Sequence, residues 1–186
     1  MLGPQGSGKG TQAKKISEAY EIPHIATGDL YRAAIAAGTD LGKSVAPLLA
    51  AGELVPDEIT IPLIRDKVLE ADSGFVLDGY PRNLAQAEAL DDLLEEIGRP
   101  LSIILLLELS DDTARERLTK RAALEGRADD QPDAIDRRLR DYHEKTEPVV
   151  EHYLATGKLV KMHAERPIHD VWAEVSDALE QVQARA

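Results

Sequence analysis

Apolar positions recur along this chain in two rhythms. The first is helical. Ala13, Ile16, Ser17 and Tyr20 stand at i, i+3, i+4 and i+7 behind a glycine-dense opening. Leu41, Val45, Leu48 and Leu49 continue it and stop at Gly52, where a C-terminal glycine belongs. The same spacing joins Ile59, Leu63, Ile64 and Val68 behind Asp57, an expected N-cap. It also joins Leu84, Ala87, Leu90 and Leu94, between the expected cap Asn83 and Gly98. Val171, Val175, Leu179 and Val182 form a last helix after Pro167. The second rhythm is a set of short apolar runs: 22–26, 75–77, 101–109 and 159–163. The run 101–109 has the continuity of a strand buried on both faces. Pro62 is tolerable early in its helix, whereas Pro148 predicts a break in the helix that starts near Pro132. Strands alternating with helices predict an α/β domain with a mainly parallel sheet, without internal repeats.

In such folds ligands sit beyond the carboxyl ends of the strands, so the residues there matter most. Gly3-Pro4-Gln5-Gly6-Ser7-Gly8-Lys9-Gly10-Thr11 runs straight into the first helix. Glycines let backbone N–H groups wrap an anion, and the helix N-terminus adds its dipole. Lys9 is placed to reach the outer phosphates of a nucleotide. The match to G-x-x-x-x-G-K-[ST] is not strict, because Gly10 follows Lys9 and the hydroxyl of Thr11 arrives one place late. A plain glycine-rich turn is the competing reading; four glycines, a lysine and a helix in register favour phosphate. A buried strand of about five residues should precede such a loop, yet only Met1 and Leu2 do. A truncated first strand is therefore expected, with lower stability than a version extended upstream by a short apolar strand.

Composition narrows the partners. Hydrophobic residues at 43% and charged residues at 30% describe a soluble globular chain, here of 186 residues in one domain. A formal net charge of -12 argues against nonspecific nucleic-acid binding, so arginines that bind an anion must be clustered. No stretch of about 20 apolar residues or signal-like start appears, which predicts a cytoplasmic protein with no membrane partner. The absence of cysteine removes disulfides and thiolate zinc sites.

Two more strand ends carry chemistry. Thr27-Gly28-Asp29-Leu30-Tyr31-Arg32 follows the first apolar run, with Thr27 and Asp29 open to a helix-capping role as well as a ligand role. Asp78-Gly79-Tyr80-Pro81-Arg82 follows the second, where an aspartate is suited to magnesium through water. Further on, Arg117 and Arg121 share a helical face, which is ordinarily a solvated stripe. A short polar link, 122–131, then separates them from Arg137 and Arg138. Basic residues on both sides of a Gly-containing link suggest a flap that lands on phosphate.

Together these motifs resemble adenylate kinase, the nucleoside-monophosphate kinase family, nearly end to end. The resemblance rests on the loop at 3–11, Thr27 to Arg32, Gly52-Glu53-Leu54-Val55-Pro56-Asp57, Asp78 to Arg82 with Gln86, Arg117 with Arg121, and Arg127-Ala128-Asp129-Asp130 with Arg138. The family's own loop reads G-K-G-T, which accounts for Gly10. The resemblance implies a P-loop NTPase-like three-layer fold around a five-stranded parallel sheet, its first strand truncated here, with an AMP-binding segment at about 27–56 and a short lid at 121–131. It implies reversible, magnesium-dependent phosphoryl transfer from ATP to AMP, giving two ADP, by a monomer.

The resemblance also implies residue roles. Lys9, Arg82, Arg117, Arg121, Arg127 and Arg138 are the expected catalytic cations. Gly6, Ser7, Gly8, Lys9, Gly10 and Thr11 with Arg117, Arg121 and Arg166 are expected at ATP. Thr27, Gly28, Arg32, Leu54, Val55, Gly79, Arg82 and Gln86 with Arg127 and Arg138 are expected at AMP. Asp129 and Asp130 resemble the pair that stabilises lid closure, and Asp78 the residue that orients magnesium's waters. The lid is too short to be the larger, zinc-bound kind. The five histidines are left as structural or surface groups. Two other readings stay open: a UMP/CMP kinase of the same fold, against which Thr27 argues because those members resemble the pattern with alanine there, and a nucleotide-binding module without turnover.

Overall fold

Strand alternation divides the apolar residues between two faces, and helices cover both. The computed structural model describes residues 1–184, with Ala128 described for its backbone alone. In chain order the elements are α1 (Lys9–Tyr20), β1 (His24–Ala26), α2 (Thr27–Ala36), α3 (Asp40–Ala50), α4 (Asp57–Glu70), β2 (Val76–Asp78), α5 (Leu84–Glu96) and β3 (Ile104–Glu108). There follow α6 (Asp111–Glu125), a 3₁₀ turn (Ala128–Asp130), α7 (Pro132–Asp141), a π turn (Tyr142–Thr146), α8 (Glu147–Leu154), β4 (Leu159–His163) and α9 (Ile168–Gln183). Val76, Leu105 and Leu107 face one side with Ala13, Ile16, Met162, Val171 and Val175, so α1 and α9 cover that face. Leu77 faces the other side with Ile64, Val68, Leu90 and Leu94 of α4 and α5. Leu107 is fully buried; truncation to alanine there costs about 2–5 kcal/mol. Among the described residues no helix is long and apolar enough to cross a membrane.

The expected five-stranded sheet is divided. β1 pairs in parallel with β2, bringing Ala26 opposite Asp78, and β3 pairs in parallel with β4, from Ile104–Leu159 to Glu108–His163. Met1 and Leu2 span the space between the pairs. The Met1 ammonium donates to Leu77 O at 2.8 Å, and Leu2 bridges to Leu106 through Leu2 N to Leu105 O (2.8 Å) and Leu107 N to Leu2 O (2.9 Å). Leu2 makes a single bridge rather than a ladder, and is buried beside Ile104, Val149 and Tyr153.

Two local expectations change. Pro148 does not end its helix: the Glu147 N–H reaches back to Tyr142 O, opening a π turn through which α7 runs on into α8. Pro62, as expected for an early helical position, is tolerated inside α4. Thr27 does not cap a helix but begins α2. The α2–α3 hairpin has its own cluster of Tyr31, Val45 and Val55, and a Cβ on Gly42 would meet Ala34 O at 2.2 Å. Only glycine permits that approach.

Candidate active site

The glycine loop turns because its residues require it. Gly3, Gly6 and Gly8 have φ of 135°, 83° and 88°, and a Cβ on Gly3 would stand 2.4 Å from Leu107 O. Gly8 precedes α1 without any side-chain cap, so the helix's first N–H groups face the cleft. Lys9 curls back over the loop, its Nζ donating to Gly3 O (2.7 Å), Pro4 O (2.8 Å) and Ser7 Oγ (3.4 Å). Burial lowers its pKa to about 8; nearby Arg82, Arg138 and Arg121 act in the same direction and Asp78 opposes them. A cleft of about 1050 Å³ opens over this loop and the carboxyl ends of the strands.

Asp78 closes β2 at the floor of the cleft. Its carboxylate lies 3.2 Å from His24 Nε2. Burial pushes its pKa up, but the hydrogen bond from His24 and the charges of Lys9 and the Met1 ammonium outweigh burial and hold it below the ordinary carboxylate value. A Cβ on Gly10 would come within 3.3 Å of Asp78 Oδ2, which gives a physical reason for glycine after Lys9. Among the described residues there is no cluster of three or more His, Cys, Asp or Glu side chains suited to a metal.

Across the cleft, Thr27 Oγ1 donates to Gly79 O at 2.9 Å, joining the ends of β1 and β2. Gly79 has φ of 73°, and a Cβ there would crowd Thr27 Oγ1 and the Arg82 guanidinium at 3.0 Å. Arg82 Nε donates to Gly79 O (2.7 Å) and its N–H to Gln86 Oε1 (2.8 Å). The buried Gln86 amide donates in turn to Asp57 Oδ1 at 2.7 Å. Asp57 is thus the first residue of α4 rather than its cap, and holds Asn83 and Gln86; Asn83 caps α5 as expected. Arg32 pairs with Asp29 and stands 3.8 Å from Asp129, with Gly28 against its guanidinium. Leu54 and Val55 line the same side, Val55 buried in the α2–α3 cluster.

Arg121, Arg127 and Arg138 meet at the link between α6 and α7. Arg121 grips Asp130 with two bonds, 2.6 and 2.7 Å, and Arg127 holds Asp129 at 3.0 and 3.1 Å. Arg138 donates to Asp130 Oδ1 (2.9 Å) and to the Asp129 carbonyl (2.8 Å). Arg117 reaches Gly6 O at 3.3 Å. Burial raises the cost of both signs of charge here: it lowers Arg138 to about 10. Asp129 falls to about 2 because Arg127, Arg138 and Arg32 more than offset the burial that would raise it. Every cation expected at the site lines this cleft, and so do the loop residues Gly6, Ser7, Gly8, Gly10 and Thr11. Arg166 lines it too, but its guanidinium is turned to Glu174 and His163 O.

His24, left as a structural or surface group from the sequence, stands instead on Asp78 at the cleft floor. Its place two residues before the strand end was the available signal. Asp57, Tyr142 and Thr146 were also missed as site residues; the last two line the cleft from the π turn, which no sequence spacing announces.

A glycine loop at a helix start, facing clustered arginines at the ends of parallel strands, defines an α/β nucleotide-binding protein. The family model described as adenylate kinase matches residues 1–158. An adenylate kinase of Xanthomonas campestris pv. campestris (strain B100) is 44% identical over 181 residues, covering 96% of this chain and 97% of its own. One of Stenotrophomonas maltophilia (strain K279a) is likewise 44% identical over 181 residues, with the same coverage. The chain belongs to the adenylate kinase family, and is an enzyme of nucleotide phosphoryl transfer.

Proposed function

We propose that the chain moves the terminal phosphoryl group of ATP to AMP, reversibly, giving two ADP. The observation that carries this reading is the convergence of Lys9, Arg32, Arg82, Arg121, Arg127 and Arg138 on a single cleft. Phosphoryl transfer asks for in-line positioning and neutralisation of oxygen charge rather than covalent help. The loop amides and Lys9 hold the donor phosphates. Arg117, Arg121, Arg127 and Arg138 meet the group in transit, while Arg32 and Arg82 clamp the acceptor phosphate. Thr27, Leu54, Val55 and Gln86 lie about the acceptor base. An acceptor phosphate is already ionised near neutral pH, so no general base is needed.

The residues fit a magnesium ion carried by the nucleotide. Asp78 supplies one carboxylate on the cleft floor, kept open by Gly10, and Mg²⁺ is commonly held by one or two carboxylates, water and substrate phosphates. Bound there, it neutralises charge on the donor phosphates. Asp129 and Asp130 act in closing the 121–131 lid, and segment 27–56 seats AMP. The enzyme works as a cytoplasmic monomer.

ADP formation with Mg-ATP and, in parallel, AMP, UMP, CMP, GMP or no acceptor tests the reading. Turnover with AMP is expected. Preference for UMP or CMP would overturn the acceptor assignment, and no turnover from a folded sample would leave a binding module.

A further inference from the structure

Arg82 is held at every polar point of its backbone. Its N–H is taken by Gln86 Oε1 and its Nε by Gly79 O, and its carbonyl accepts from Thr146 Oγ1 at 2.8 Å. Thr146 stands 64 residues away on another element and is only 8% exposed. A threonine inside a helix can turn its hydroxyl back to the carbonyl four residues earlier. That carbonyl belongs to Tyr142, and the Glu147 N–H occupies it through the π turn. Pro148 explains the turn, since it has no N–H to continue the regular ladder and its ring crowds the preceding carbonyls. From this widened turn the hydroxyl is spent on the Arg82 peptide instead. The same continuous rod carries Arg138, one turn before Tyr142, into the contact with Asp129 and Asp130.

We infer that Thr146 is a positioning residue for Arg82: its hydroxyl fixes the peptide from which the guanidinium is presented to the acceptor phosphate, tying it to the helix that carries Arg138. The inference rests on the reading of Arg82 as an acceptor clamp, and deepens it. Gln86 secures one side of the Arg82 backbone from within the same loop; Thr146 secures the other from outside it. Losing the hydroxyl frees the Arg82 carbonyl and lets the guanidinium swing.

Thr146→Val keeps the shape and removes the donor. It should raise KM for AMP about tenfold, the scale of one lost hydrogen bond in a buried site, with KM for ATP within about twofold. Thr146→Ser should restore AMP use to within about twofold of the parent. Independently of turnover, the Arg82 Nε–H, protected by Gly79 O, should exchange with solvent several-fold faster in Thr146→Val by ¹⁵N NMR. Should that variant fail to fold, Pro148→Ala provides the missing donor, lets the π turn relax and should reproduce both effects. Unchanged Nε–H exchange overturns the inference whatever the kinetics, as does a serine variant as impaired as the valine one. If the parent itself makes no ADP from AMP, the functional reading fails, and the exchange measurement still decides the role of Thr146.

Discussion

Asp130→Asn tests what the buried carboxylates do among the arginines. The Asp130 side chain is fully buried, accepts two bonds from Arg121 and one from Arg138, and lies 3.7 Å from Arg127. Asparagine preserves the shape and one acceptor. It removes the charge and turns an N–H₂ group toward guanidinium donors. Breaking a buried ion pair costs about 3–5 kcal/mol, because the partner charge is left uncompensated. The retained acceptor places this variant at the lower end, about 3 kcal/mol. For a chain of this size each kcal/mol moves Tm by about 2–4 °C, so a drop of about 6–12 °C is expected at neutral pH. Inorganic tripolyphosphate raises the Tm of both proteins by mass action, and because it meets uncompensated guanidiniums in the variant it should bind the variant more tightly, so that saturating amounts narrow the gap. A variant that melts within about 1 °C of the parent would refute the reasoning. So would a gap that tripolyphosphate leaves unchanged.

Two further outcomes are expected. Lys9→Ala should lower kcat by about 10²–10³ with the circular-dichroism spectrum retained, since it removes a cation aimed at charge that develops during transfer; kcat within a factor of two would remove Lys9 from the mechanism. Asp129 titrates at about 2, below its ordinary value of 3.8, so its pairing stabilises the fold fully above pH 4 and that support fades as pH falls toward 2. The difference is worth about 2 kcal/mol, so parent and Asp129→Asn should differ in chemical-denaturation stability at pH 6 and converge near pH 2.

What was legible in the sequence was what is contiguous. The loop at 3–11, the strand end at Thr27 and the strand end at Asp78 each carry their chemistry within a few residues, and each lines the cleft. What was not legible depends on partners distant in the chain. Asp57 looked like a helix cap because acidic residues there commonly are, yet tertiary contact gives its carboxylate to Asn83 and Gln86. Pro148 looked like a helix breaker because proline removes a donor, yet one longer hydrogen bond from Glu147 absorbs the loss. Continuity of apolar residues over 101–109 overstated a strand that spans Ile104–Glu108, since burial does not require ladder pairing. The sheet could not be counted from strand-like runs alone, because Leu2 contributes one bridge rather than a strand.

The close contact of Gly42 with Ala34 has a mechanical consequence. Two helices whose backbones touch cannot slide or roll past one another without forcing atoms together, and Tyr31, Val45 and Val55 fasten them from within. The α2–α3 hairpin is therefore a stiff lever. Any change in the width of the cleft on that side must be taken up where the lever joins the chain, at Thr27 and around Gly52. A force applied at Arg32 is then delivered through the whole hairpin.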